Sequence, residues 1–194
     1  MDTILGLCIG VALAAACGMR VFAPLLIVSL GAHAGLVPLG ESFAWLGTWG
    51  ATIALGTATV VEFGASSVPW VEHALDAVAS PAAIIAGTLL AASQLEHLPP
   101  GAAWFLALIA GGGAAGLTQA AGVTTRGAST VTTAGLLNPF LNAVQSIASL
   151  VVSVVAVVVP VLAAVLVLTT AVVVGRWWWR RRAKRLHLGV PLAA

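Results

Sequence analysis

Long apolar runs fill this chain, and the few breaks between them set out its elements. Thr3 to Cys17 carries no charge after Asp2 and predicts a first helix. Its Gly6 and Gly10 form a G-x-x-x-G pair that permits close helix contact. Gly18 interrupts the run, and Met19 to Val37 follows as a second apolar segment with Pro24 early in it. Pro38, Gly40 and Glu41 mark a loop. Phe43 to Phe63 predicts a third span, with Trp45 and Trp49 near its start and Glu62 at its end.

From Ser67 to Ser80 the pattern changes. Ser67 suits a cap and Pro69 a first turn. Glu72, His73, Asp76 and Ser80 then share one face, opposite Val68, Val71, Leu75 and Val78. That spacing predicts an amphipathic helix lying in the membrane interface. Pro81 to Gln94 is apolar but short for a crossing, and Glu96 to Pro100 reads as a loop. Gly101 to Gly122 is a further span, in which Gly111, Gly112 and Gly113 mark close packing or a break.

Val123 to Pro139, VTTRGASTVTTAGLLNP, is the least lipid-like interior stretch. It is expected to be buried in protein or to line a wet cavity. Asn138 and Pro139 read as N-cap and first turn of a last helix. That helix is expected to continue, kinked at Pro160, to about Arg176. It would then be about 55 Å long, so it must tilt, bend or project beyond a ~30 Å hydrocarbon core.

Composition fixes the solvent. The chain has 194 residues, 60% hydrophobic and 7% charged, where soluble domains carry roughly 25% charge. The expected fold is all-α: one polytopic membrane bundle over residues 1–194, with about five to seven membrane segments. At least one of them is broken or re-entrant, and one further helix is interfacial. No segment alternates as a barrel strand would. Met1-Asp2-Thr3 lacks the positive start of a signal peptide, so the first helix is expected to be retained.

The net charge of +2 is not a global balance, because six of the eight basic residues lie in RWWWRRRAKR, Arg176 to Arg185. We read the run as a cytoplasmic flank with Trp177, Trp178 and Trp179 at the headgroups, rather than as a nucleic-acid site. Residues 177–194 then form a basic cytoplasmic tail. The expected location is a bacterial inner membrane, crossed several times, with the C-terminus inside. Cys8 and Cys17 stand about 13 Å apart on one predicted helix, too far to bridge.

The costly residues point to chemistry. Arg20 is the only permanent charge between Thr3 and Pro38, and an arginine at mid-membrane costs at least ~2.5 kcal/mol. We expect it to point into the protein at a break after Gly18, against Glu62, freed carbonyls or an anionic ligand. Arg126 precedes the polar stretch; a site role and an interfacial or capping role both fit it. Glu62 could pair with Arg20, carry a proton, or sit among headgroups. Glu72, His73 and Asp76 have metal-ligand chemistry, but a solvated helix face explains them better, and no metal or other cofactor is expected. No nucleophile elbow, phosphate loop or zinc spacing is present, so no catalytic residue is assigned.

Three clusters resemble a bacterial membrane family, the domain of unknown function numbered 4126. They are Gly18-Met19-Arg20-Val21-Phe22-Ala23-Pro24; Glu62 with Pro69, Glu72 and Asp76; and Arg126 with Asn138-Pro139. The family tends to have an Asp-Lys pair before the proline matching Pro69, where this chain has Ser66-Ser67. It also tends to have acidic residues shortly after its Asn-Pro, where this chain has Val144 and Gln145. The resemblance implies an all-helical membrane protein and brings no activity with it.

The expected function is a transporter-like or permeation protein, not an enzyme, for a small anionic or lipid-headgroup ligand. Its expected ligand-binding residues are Arg20, Glu62, Arg126 and Asn138. The alternative is a non-catalytic scaffold or accessory subunit. The expected partners are the lipid bilayer, a small anionic ligand, and a membrane-protein partner or second copy; nucleic acid is not among them.

Overall fold

A computed structural model describes residues 3–65 and 69–159 and the single positions Leu162, Thr169, Val172 and Arg176; over residues 69–76 only the helical backbone is described. Seven α-helices are described: α1 Thr3–Cys17, α2 Phe22–His33, α3 Trp49–Ala65, α4 Pro69–Ser93, α5 Pro100–Leu106, α6 Gly113–Thr133 and α7 Asn138–Val158. A 3-10 helix over Glu41–Gly47 leads into α3, and a π-helical turn over Ala107–Gly112 joins α5 to α6. Among the described residues there is no strand.

Helices α6 and α7 are inside-out relative to a soluble protein. In α7 the buried residues are Asn138, Asn142, Ser149, Ser153 and Ala156. The exposed ones include Phe140, Val144, Ile147, Val151, Val154 and Val158. Helix α6 likewise buries Ala115, Gln119, Gly122, Arg126 and Ser129 while exposing Leu117, Val123 and Val131. Water would drive the opposite arrangement, whereas lipid accepts the apolar face and leaves polar groups to bond to one another. Pro100–Thr133 and Asn138–Val158 are each long and apolar enough to cross a membrane. Glu41–Gly47 and Trp49–Ala65 would add a third span if the pair, bent by 62°, is taken as one. Thr3–Cys17, Phe22–His33 and Ala77–Ser93 are shorter apolar helices. The described helices therefore supply two or three full-length spans, fewer than the five to seven segments expected.

Helix α1 forms the centre and packs on α4, α6 and α7. Its glycines work by absence of bulk: a Cβ on Gly6 would stand 2.3 Å from the Gln94 carbonyl oxygen, and one on Gly10 would stand 3.0 Å from Ala91 Cα. The anticipated G-x-x-x-G contact is thus made with α4. Cys8 and Cys17 are both free thiols.

Two expectations need correction. The interfacial helix and the short apolar segment after it are one helix, α4, with Pro81 inside it. Proline removes a single N–H from the ladder, and the alanines around Pro81 are strong helix formers, so the helix survives it. The side chains of Glu72, His73 and Asp76 lie outside the described residues. Of the two roles expected for Gly111–Gly113, close packing or a break, the structure shows close packing. The chain runs helically from Pro100 to Thr133, and Gly111 lets the π-helical turn approach α4, where a Cβ would come within 2.8 Å of the Gly87 carbonyl.

The second correction is that the polar stretch after Val123 is not buried as a whole. Thr124, Thr125 and Thr132 are exposed, and each hydroxyl donates to the carbonyl four residues back, at 2.7, 2.8 and 2.9 Å. A hydroxyl satisfied by its own helix can face lipid. The last expected helix is interrupted where a kink was expected: α7 ends at Val158, and the described positions Leu162, Thr169, Val172 and Arg176 beyond it are again helical. Val159 has φ −136° and ψ 74°, outside the helical region, as the residue before a proline prefers. The 21 residues of α7 span about 31 Å, close to the thickness of a hydrocarbon core. The C-terminal cluster Trp177 to Arg185 lies outside the described residues.

Candidate functional site

The site is built around the break between α1 and α2. Pro24 occupies the first turn of α2, as expected. Gly18 does not serve as a flexible hinge: among the described residues positive φ occurs only at Gly35, Ala134 and Gly135. Its role is space, since a Cβ there would lie 2.3 Å from the Ala115 carbonyl oxygen and 2.7 Å from Thr118 Cβ on α6. Gly18→Ala is therefore expected to lower the unfolding free energy in mixed micelles by about 1–3 kcal/mol. Gly127→Ala, with nothing within 4 Å of its Cβ, should leave it unchanged or raise it slightly. Equal effects of the two substitutions would refute the close contact.

The break frees backbone groups, and these are satisfied. The N–H groups of Met19 and Arg20 each donate to the Ala16 carbonyl at 3.0 Å, which also accepts the Ser149 hydroxyl from α7 at 3.0 Å. The N–H groups of Val21 and Phe22, at the start of α2, donate to the two oxygens of Glu62 at 2.7 and 3.2 Å. Glu62 thus reaches across from α3 as a cap for α2, where a carboxylate also meets the positive end of the helix.

Arg20 is 8% exposed and points inward. Its Nε donates to Ser146 Oγ at 2.9 Å and its Nη2 to the Asn142 carbonyl at 3.1 Å. The guanidinium also lies over the Phe63 ring, 5.6 Å from the centroid. Arg126, 6% exposed, donates from Nη1 to Gln145 Oε1 on α7. Gly122, one turn earlier on α6, leaves room for that glutamine: a Cβ there would meet Gln145 Nε2 at 2.8 Å.

Three of the four expected ligand residues converge. Arg20, Glu62 and Arg126 line one cavity of about 490 Å³, together with Gln119 and Asn142. A second space of about 340 Å³ shares Arg20 and Asn142 and is bounded by Phe63 and Ser146. Among the described side chains lining the first cavity, two arginines and one carboxylate leave a formal excess of one positive charge. Asn138 does not reach it. It is the first residue of α7 rather than its cap, and its Nδ2 donates back to Thr130 Oγ1 at 3.2 Å. That bond stitches the α6–α7 turn, so its expected ligand role has no support in the geometry.

Gln119 and Asn142 in the first cavity and Ser146 in the second add to the polar lining, and Gln145 holds Arg126; reading charged residues one at a time missed all four. The signal was the buried-face period: Gln119 and Arg126 are two turns apart on α6, and Asn138, Asn142, Gln145 and Ser146 follow one another around the inner side of α7. Gln119 Nε2 is buried with no hydrogen-bond partner. Among the described residues no three His, Cys, Asp or Glu side chains come together as a metal site.

These features define an all-helical protein with at least two helices able to cross a membrane, organised around a buried polar break. The chain belongs to the family of the domain of unknown function DUF4126, whose model matches residues 7–181. No curated protein and no solved structure matches it.

Proposed function

We propose that the protein is a multi-pass membrane protein that binds, and passes across or along the bilayer, a small anionic or lipid-headgroup ligand. One observation carries the reading: Arg20, Glu62 and Arg126, from three separate stretches of chain, line a single cavity. Buried arginines around a cavity supply forked donors for a carboxylate or phosphate. Glu62 organises the α2 end and balances one of the two positive charges.

On this reading α1, α2 and the apolar part of α4 are partial crossings that complete the five to seven segments, and α1 and α2 meet as a broken pair at Gly18–Val21. The membrane is a bacterial inner membrane with the basic tail on the cytoplasmic side. A reporter fused after Ala194 tests the last point, and periplasmic activity would reverse the topology.

The second reading, a scaffold, rests on a different observation. Helix α6 exposes a face of Thr124, Gly127, Ala128 and Val131, small enough for close approach by another helix. Thermal unfolding of the detergent-solubilised full chain separates the two. Glycerol phosphate and lysophosphatidate are compared with uncharged monoacylglycerol. At a hundred times its dissociation constant, a bound ligand adds about 2.7 kcal/mol of stability. We expect that gain from at least one charged probe, and its loss in Arg126→Gln. No charge-dependent gain would remove the anion reading and favour the scaffold.

A further inference from the structure

The cavity has two kinds of wall. Polar groups gather at one part of it: Arg20, Glu62, Gln119, Arg126 and Asn142. The rest is almost wholly apolar, from α3 and α4 and the start of α2. Two of those apolar residues, Val61 on α3 and Val78 on α4, are 61% and 67% exposed while also lining the cavity. A side chain that is both inner wall and outer surface marks a mouth. The opening lies between α3 and α4, because α3 packs chiefly on α2 and the 3-10 helix. With apolar side chains on the outer faces of the neighbouring helices, this mouth faces the phase that accepts them, the lipid.

Gln119 supplies the second observation. It is 5% exposed, lines the cavity, and its Nε2 is a donor without a partner. A buried donor left unsatisfied carries its full desolvation penalty. A ligand with an acceptor oxygen at that position removes the penalty. An ion alone would fill only the polar part and leave the apolar remainder empty or wet.

Resting on the anion reading above, we propose that the ligand is an anionic amphiphile: a carboxylate or phosphate head on a hydrocarbon chain. It enters sideways between α3 and α4, places a head oxygen on Gln119 Nε2 beside Arg126, and leaves its chain along Val61, Val78 and Ala82. The volume, about 490 Å³, lies within the range of pockets that enclose single organic ligands. The shared chemistry of the head, an anionic oxygen cluster, could come from a membrane lipid or from a free phosphate, and the test separates these sources.

Native mass spectrometry of the full chain released from detergent reads the bound species directly. The probes are oleate, lysophosphatidate, glycerol phosphate and monoacylglycerol. Oleate or lysophosphatidate is expected to give a one-to-one adduct at concentrations at least tenfold below any adduct with glycerol phosphate or monoacylglycerol. Gln119→Leu should weaken it about tenfold. Val78→Trp, placed at the exposed mouth where folding is little at risk, should weaken it at least as much. Equal binding of glycerol phosphate would overturn the amphiphile and leave the anion reading intact. Equal binding of monoacylglycerol would sink both. An adduct unchanged in Val78→Trp and in Gln119→Leu would place the ligand elsewhere and overturn the proposal.

Discussion

Arg20→Ala is expected to cost the protein more than any other single substitution of a charged side chain outside the C-terminal run. The guanidinium holds α7 at two points, Ser146 Oγ and the Asn142 carbonyl, and stacks over Phe63 from α3. Hydrogen bonds from a charged donor contribute about 1.5–3 kcal/mol each. Removing the side chain also takes away one of the two positive charges that line the cavity with Glu62. We expect a loss of about 3 kcal/mol or more in unfolding free energy in mixed micelles. Arg20→Lys should recover less than half of it. The two bonds leave from different nitrogens of one rigid fork, and a single ammonium cannot reproduce that geometry. Full recovery by lysine would show that charge alone matters and would remove the two-point contact from the account.

The second large effect is expected at Glu62, and it separates shape from charge. Both oxygens accept backbone N–H groups at the start of α2. Glu62→Gln keeps one acceptor and turns the other into an NH2 group facing a donor, so a near-isosteric change should be damaging, by about 1–3 kcal/mol. Glu62→Ala uncaps the helix altogether. Hydrogen exchange of the peptide covering Gly18 to Pro24 reads this locally: protection of the Val21 and Phe22 amides should fall in both variants. Unchanged protection, with the fold intact, would mean that the carboxylate is not their acceptor.

Much of this was legible before any coordinates. The isolated charge at Arg20, between Gly18 and Pro24, announced a break that had to be satisfied from inside the protein. The first helix and the early position of Pro24 in the second followed from the apolar pattern. The convergence of Arg20, Glu62 and Arg126 could only be anticipated, because it depends on how α3, α6 and α7 pack and not on any local spacing. Reading polarity as a bulk property of a segment failed for Val123 to Pro139. There the threonines bond within their own helix, and only the residues at the inward period are buried. Pro81 and Pro160 carry the same chemistry and had opposite outcomes. Helix α4, which packs on α1 and α6, continues through its proline, whereas α7 stops before the other. The alanines around Pro81 carry α4 through, while Val159 takes the non-helical backbone that a residue before proline prefers.

The Ala16 carbonyl takes donors from Met19, Arg20 and Ser149, and the Arg20 guanidinium is also anchored on α7. The contacts join the beginning of the chain to its far end, 122 to 133 positions apart, and so impose an order on biosynthesis. A ribosome delivers α1 and the break first, and α7 only after more than a hundred further residues. Until then the charge of Arg20 lacks these anchors, and lipid cannot supply them. In the membrane reading, the nascent first pair of helices must therefore wait at the interface or within the insertion machinery. Its commitment to the bilayer waits for α7, so a chain stopped before Asn138 would leave its own beginning without a stable place.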